Sequence, residues 1–155
     1  MKFEILVDSR PSEIVIALLK DKQLTELHIE PLENKFSVGD IYLGTVKKIV
    51  PGLNAAFVDV GFEKDGFLHY LDLGPKYKTF NQFLQKNIAK KLNTASLKNF
   101  KVLEELEKDG KINETLQSGN KILVQVAKEP ISTKGPRLTT ELTIAGRYMV
   151  LVPFS

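Results

Sequence analysis

The stretch Asn54-Ala55-Ala56-Phe57-Val58-Asp59-Val60-Gly61-Phe62-Glu63-Lys64-Asp65-Gly66-Phe67-Leu68-His69-Tyr70 decides how this chain is read. Two short runs of alternating residues flank a polar, glycine-bounded turn, the pattern of two strands and a short connection. Side chains alternate between the faces of a strand. In the first run Ala56, Val58 and Val60 share one face, and Ala55, Phe57 and Asp59 the other. In the second, Leu68 and Tyr70 face one way, and Phe67 and His69 the other. With the aliphatic faces in a core, two phenyl rings and an imidazole gather beside solvent on adjacent strands. In a basic protein that grouping suggests a stacking surface for the bases of a single-stranded nucleic acid. Phenylalanine is usually buried, so a larger barrel that encloses both rings is the competing reading of the spacing.

Composition agrees with a folded, basic chain. The 155 residues fit one medium domain, or one domain plus a part of another. An apolar share of 43% can fill a core, and 26% charged residues is ordinary. The net charge of +3 and pI near 9.0 favour polyanionic partners without demonstrating one. Basic residues concentrate between Lys76 and Lys101 and near Lys128–Arg137. The absence of cysteine excludes disulfides and thiolate metal sites. His28 and His69 lie far apart in sequence and do not suggest a metal centre. No run resembles a signal peptide or a membrane span, so the cytoplasm is the expected location.

Outward from the opening stretch, Lys2–Val7, Ile14–Lys20 and Leu24–Glu30 read as strands, with Asp21-Lys22 as a tight turn. Alternation predicts Leu27 and Ile29 pointing inward, with Glu26, His28 and Glu30 outward. The polar segment from Pro31 to Ser37 suggests a boundary. Gly39–Val50 is a long strand whose Gly44 predicts a bulge or bend, and Pro51-Gly52 is a turn. Beyond His69 the pattern becomes helical. Thr79 and Gln82 read as a capping box, followed by Phe80, Phe83, Leu84, Ile88 and Leu92 at helical spacing. A second helix is expected over Ser96–Lys108, with Leu97, Phe100, Leu103 and Leu106 on one side, and a short turn near Asn113–Gln117. Lys86, Lys90, Lys91, Lys98 and Lys101 read as solvated helix faces or as an added phosphate-tracking surface. Lys121–Lys128 and Arg137–Thr143 are strands, and Tyr148–Val152 starts another. The loop between the first two carries Ser132-Thr133-Lys134-Gly135, with hydroxyls, an amide and an ammonium to offer a phosphate. The hydrophobic run before Pro153 suggests a chain excised from a longer protein.

Several ordered motifs resemble the S1 RNA-binding domain of the bacterial ribonuclease E/G family. They are Gly39-Asp40-Ile41-Tyr42-Leu43-Gly44, Ala55-Ala56-Phe57-Val58-Asp59-Val60-Gly61, Gly66-Phe67-Leu68-His69, Val124-Gln125-Val126, Thr133-Lys134-Gly135, Arg137-Leu138-Thr139-Thr140 and Gly146-Arg147-Tyr148. Pro11-Ser12-Glu13 and Leu27-His28-Ile29-Glu30 resemble the ribonuclease G branch most. The likeness spans nearly the whole chain outside about 71–113.

The resemblance implies a mainly β fold with a helical insertion. A five-stranded OB-type S1 barrel would occupy 36–136, with the insertion at about 71–117. Residues 1–35 and 137–155 would form a partial RNase H-like sub-domain into which the barrel is inserted. It further implies that Phe57 and Phe67 contact RNA, that Lys134 is the basic contact with Lys128 as a second, and that His69 assists at the edge. Gly146 and Val150 would supply part of a 5′-monophosphate pocket, although Gly146 reads equally well as a β-bulge glycine. The family cleaves RNA with magnesium held by two aspartates of a later domain. This chain is therefore expected to bind single-stranded RNA without cutting it and without a cofactor, within a magnesium-dependent, homo-oligomeric parent that serves RNA processing and decay. Asp59, a lone strand carboxylate, is expected to be structural. A free-standing S1/OB module is one alternative, and a structural module whose insertion covers the aromatic face is another.

Overall fold

The computed structural model describes residues 1–31, 36–89 and 100–154. Contacts divide the chain into two units, 1–35 and 36–155.

The first unit is an antiparallel meander of β1 (Phe3–Ser9), β2 (Glu13–Lys20) and β3 (Gln23–Pro31). The turn between β2 and β3 holds Asp21 and Lys22 at positive φ, 49° and 68°. A two-residue hairpin needs such values, because its turn must follow the right-handed twist of the strands. Leu27 and Ile29 share a face as predicted, opposite Ala17 and Val15, but they are not inward. They are 53% and 55% exposed. Three strands alone provide no second layer over that face, and alternation cannot report whether a layer exists.

The second unit is built on a closed barrel in the order β4-β5-β6-β8-β7. Its strands are β4 (Ile41–Val50), β5 (Ala55–Asp59), β6 (Gly66–His69), β7 (Lys121–Lys128) and β8 (Arg137–Thr139). The barrel fits the OB-type architecture expected, and its last strand runs past residue 136. Val46, Ala56, Val58, Leu68, Ile122, Val124, Val126 and Leu138 fill the interior at 1% exposure or less. Of these, Ala56, Val58 and Leu68 are alternating positions that the sequence assigns to the core face. The β4–β5 ladder shifts between Val46 and Lys48 rather than at Gly44. Gly44 instead lets β4 approach β5 closely, since a Cβ there would lie 2.5 Å from a Val58 methyl.

The insertion carries α1 (Tyr77–Ile88) and α2 (Ile112–Thr115). Helix α1 starts two residues before the expected cap. Thr79 lies inside it, fully buried, and its hydroxyl accepts a hydrogen bond from the Leu103 amide at 3.0 Å. That bond also explains why residues 100–106 form no helix. The Leu103 amide is taken by Thr79, and the Leu106 amide donates to the Pro75 carbonyl at 2.9 Å, so neither closes a helical turn. Leu92, Leu97, Lys90, Lys91 and Lys98 lie outside the described residues.

Two ties hold the insertion. Asn54, left-handed at φ 47°, accepts from the Ile112 amide at 2.7 Å and donates to the Gly110 carbonyl at 3.1 Å. Tyr70 Oη donates to the Glu107 carbonyl at 2.6 Å. The rings of Phe80, Phe83 and Phe100 gather around Phe154, with centroids 5.0–5.8 Å from it. A hairpin of β9 (Ile144–Ala145) and β10 (Val150–Leu151) precedes that phenylalanine. Among the described residues no helix is long and apolar enough to cross a membrane.

Candidate nucleic-acid interface

Strands β5 and β6 place Phe57 directly opposite Phe67. Each is half-buried between buried neighbours, so both rings stand on the outer face of the barrel. Their centroids are 5.9 Å apart and their planes meet at 70°. This is an edge-to-face pair, the arrangement that the ring quadrupoles favour. The two rings therefore offer differently oriented faces rather than one flat surface.

The pair forms the floor of an open cleft of about 670 Å³. One wall is the β5–β6 turn with Lys64 and Asp65. The other is the β7–β8 loop with Ile131, Thr133, Lys134 and Gly135. That loop is a small hairpin in which the Lys134 amide donates to the Ile131 carbonyl at 3.0 Å, with Ser132 at φ 52°. The walls meet backbone to backbone at Gly135, where a Cβ would overlap the Asp65 carbonyl oxygen. Glycine is thus needed there for close approach. Lys64, Lys128, Lys134 and Arg137 face the cleft against the carboxylates of Asp65 and Glu129, four cations to two anions.

Arg137 stands in a basic region and in one of the motifs of the resemblance, but the sequence gives it no binding role. Its Nε and Nη2 donate to the two oxygens of Asp72, each at 3.1 Å. This ion pair holds the guanidinium proton even more firmly than usual. The main chain reinforces the tie, since the Thr140 amide and the Thr139 hydroxyl donate to the Asp72 carbonyl, and the Thr140 hydroxyl donates to that of Leu73. Pairing between β6 and β8 sets Arg137 beside Phe67. Only the fold supplies that neighbour, because 70 residues separate them in sequence.

Of the residues singled out in the sequence, Phe57, Phe67, Lys128 and Lys134 come together in the cleft. His69 does not line it. Its Nδ1 accepts the Leu71 amide at 3.1 Å and caps the helical turn at Tyr70–Leu73. Gly146 and Val150 belong to the β9–β10 hairpin and do not line the cleft. The Gly146 amide is engaged by the Met149 carbonyl at 2.8 Å, as in a hairpin turn. Asp59 has a structural setting. Its carboxylate accepts the Gly61 amide at 2.9 Å and pairs with Lys47 at 3.1 Å, and both hold its pKa below the usual value. Among the described residues no three His, Asp or Glu side chains gather as a metal site requires. The described part of the insertion, 71–89 and 100–117, contributes nothing to the cleft lining.

No family model matches the chain. Curated relatives do. Ribonuclease G of Haemophilus influenzae is 38% identical over 150 residues, which are 97% of this chain and 27% of that protein. Ribonuclease G of Escherichia coli is 37% identical over 153 residues, 99% of this chain and 27% of that protein. Ribonuclease E of a Nostoc species is 37% identical over 152 residues, 93% of this chain and 18% of that protein. The chain thus spans about a quarter of the length of the ribonuclease G relatives it matches. The match runs through both units and every strand of the barrel, and over that stretch the chain belongs to the ribonuclease E/G family.

Proposed function

We propose that the chain binds single-stranded RNA in the cleft over Phe57 and Phe67, as the S1 domain of a ribonuclease E/G-type endoribonuclease of RNA processing and decay. The observation that carries the reading is the direct opposition of two half-exposed phenyl rings in an open cleft with a cationic excess. Stacking on an aromatic ring contributes about 1–3 kcal/mol per base and tolerates any sequence, because every base has a π-face. Rings inclined at 70° suit bases splayed from a single strand better than the parallel stack of a duplex. Lys128 and Lys134 would neutralise phosphates, so affinity should fall as salt rises. Cleavage in the longer parent would rest on magnesium and on residues outside this chain. A cytoplasmic location, homo-oligomerisation, a 5′-phosphate pocket that includes Gly146 and Val150, and an RNase H-like setting for 1–35 and 137–155 belong to the same proposal.

Two features favour it over the alternatives. A module whose insertion hides the rings would have insertion residues over the cleft, and the described ones lie elsewhere. A free-standing barrel would leave the first unit unmatched, whereas likeness to ribonuclease G extends over 97–99% of the chain.

The test is a titration of labelled single-stranded RNA with the chain and with its Phe57→Ala, Phe67→Ala double variant, over a salt series, with circular dichroism as the check on folding. A folded double variant should bind at least about tenfold more weakly, the loss of 1.4 kcal/mol or more of stacking. Equal binding by the folded variant would refute the assignment of the rings.

A further inference from the structure

The strand register extends the site beyond the cleft. Lys48 pairs with Phe57 across β4 and β5, and Phe57 with Phe67 across β5 and β6. Phe67 pairs with Arg137 across β6 and β8, and Arg137 with Lys128 across β8 and β7. Directly paired residues share a face of the sheet. These five therefore form one row around the outside of the barrel: cation, phenyl, phenyl, cation, cation.

The bulge in β4 creates the first member of that row. Without the extra residue between Val46 and Lys48, Lys47 would stand opposite Phe57 and Lys48 would turn into the core. With it, both lysines face outward. Lys47 is taken by Asp59. The Lys48 side chain makes no hydrogen bond or ion pair among the described residues. At the other side of the rings Arg137 is held by Asp72 through Nε and Nη2, which leaves Nη1 for another acceptor. Three strand intervals separate Lys48 from Arg137, about 14 Å along the surface.

We propose that the RNA strand crosses the barrel along this row, at right angles to the β-strands, with one base on each ring and phosphates on Lys48 and Arg137. The inference rests on the RNA-binding reading and adds a path, a two-base footprint and two phosphate ligands to it. A path parallel to the β-strands, past the Ile131–Gly135 wall, would leave Lys48 out of contact.

Neutralising a residue that holds one phosphate lowers the slope of log affinity against log salt by about 0.7 for a single strand. The experiment is fluorescence anisotropy of a short labelled oligouridylate with the full chain, over a salt series. The variants are Lys48→Gln, Arg137→Gln, Arg137→Lys and, as an off-row control, Lys111→Gln. Lys48 is exposed and unpaired, so its variant should fold normally. Lys48→Gln and Arg137→Gln should each lower the slope by about 0.7, with Arg137→Lys and Lys111→Gln near wild type. An unchanged slope in Lys48→Gln, while Phe57→Ala still weakens binding, would overturn the path and leave the RNA reading intact. An equal drop in Lys111→Gln would also overturn it, because affinity would then follow overall charge. If the wild type does not bind at low salt, the RNA reading fails and the path with it.

Discussion

Gly135→Ala perturbs the cleft at a point where its two walls touch. The added methyl would overlap the Asp65 carbonyl oxygen and lie 2.8 Å from the Asp65 carbonyl carbon and 2.9 Å from the Lys64 carbonyl oxygen. All three are backbone atoms, so no rotamer change relieves the contact. Ordinary van der Waals distance begins near 3.4 Å, so the turn carrying Lys64 and the loop carrying Lys134 must separate by half an ångström or more. Overpacking of this kind costs about 1–3 kcal/mol. For a unit of this size each kcal/mol lowers Tm by about 3–6 °C. Barrel interior residues are untouched, so the variant should fold and melt cooperatively. Its RNA affinity should fall with a shallower salt slope, by up to about 0.7 for each phosphate contact displaced, because lysines on both walls move while the rings stay. Gly52→Ala is the matched control. Nothing lies within 4 Å of its added methyl and its φ is not positive, so stability should hold or rise by about 0.4–1 kcal/mol. Calorimetry and anisotropy titrations read both variants. A Gly135→Ala chain with wild-type Tm and a wild-type salt slope would refute the close approach of the walls and their part in binding.

Two further predictions concern stability. Asn54→Gly keeps a residue that tolerates φ 47° but removes the bonds to the Ile112 amide and the Gly110 carbonyl. It should cost about 1–3 kcal/mol in chemical denaturation, mostly from the orphaned amide of fully buried Ile112. Burial pushes the Tyr77 hydroxyl from its ordinary 10.0 up to about 12. Its folded-state pKa is the higher one, so its contribution to stability is complete below about pH 10 and is lost as pH rises through 12, about 3 kcal/mol in all. Tyr77→Phe should therefore flatten the decline in stability between those values, and an identical decline would contradict the burial of that hydroxyl.

The barrel's inner face was legible in the sequence because a strand buried on one side writes its burial into alternate residues. Ala56, Val58 and Leu68 were assigned inward on that pattern and are fully buried. The same pattern put Phe57 and Phe67 together on the outside, although their inclined rings depend on packing. Where partners are remote, local pattern misled. Leu103 and Leu106 have helical spacing, yet their amides are taken by Thr79 and Pro75. Thr79 has the sequence of a cap and the position of a buried anchor. The outward turn of Lys48 depends on a bulge that no residue announces, since Gly44, the natural suspect, serves close approach instead. Arg137 reaches Phe67 only through barrel closure. Alternation and composition by themselves determined which residues could form a core and which rings could lie outside it, because burial free energy acts residue by residue. Register, bulge and closure decided which cations stand beside those rings, because they arise from hydrogen bonds between strands far apart in the chain.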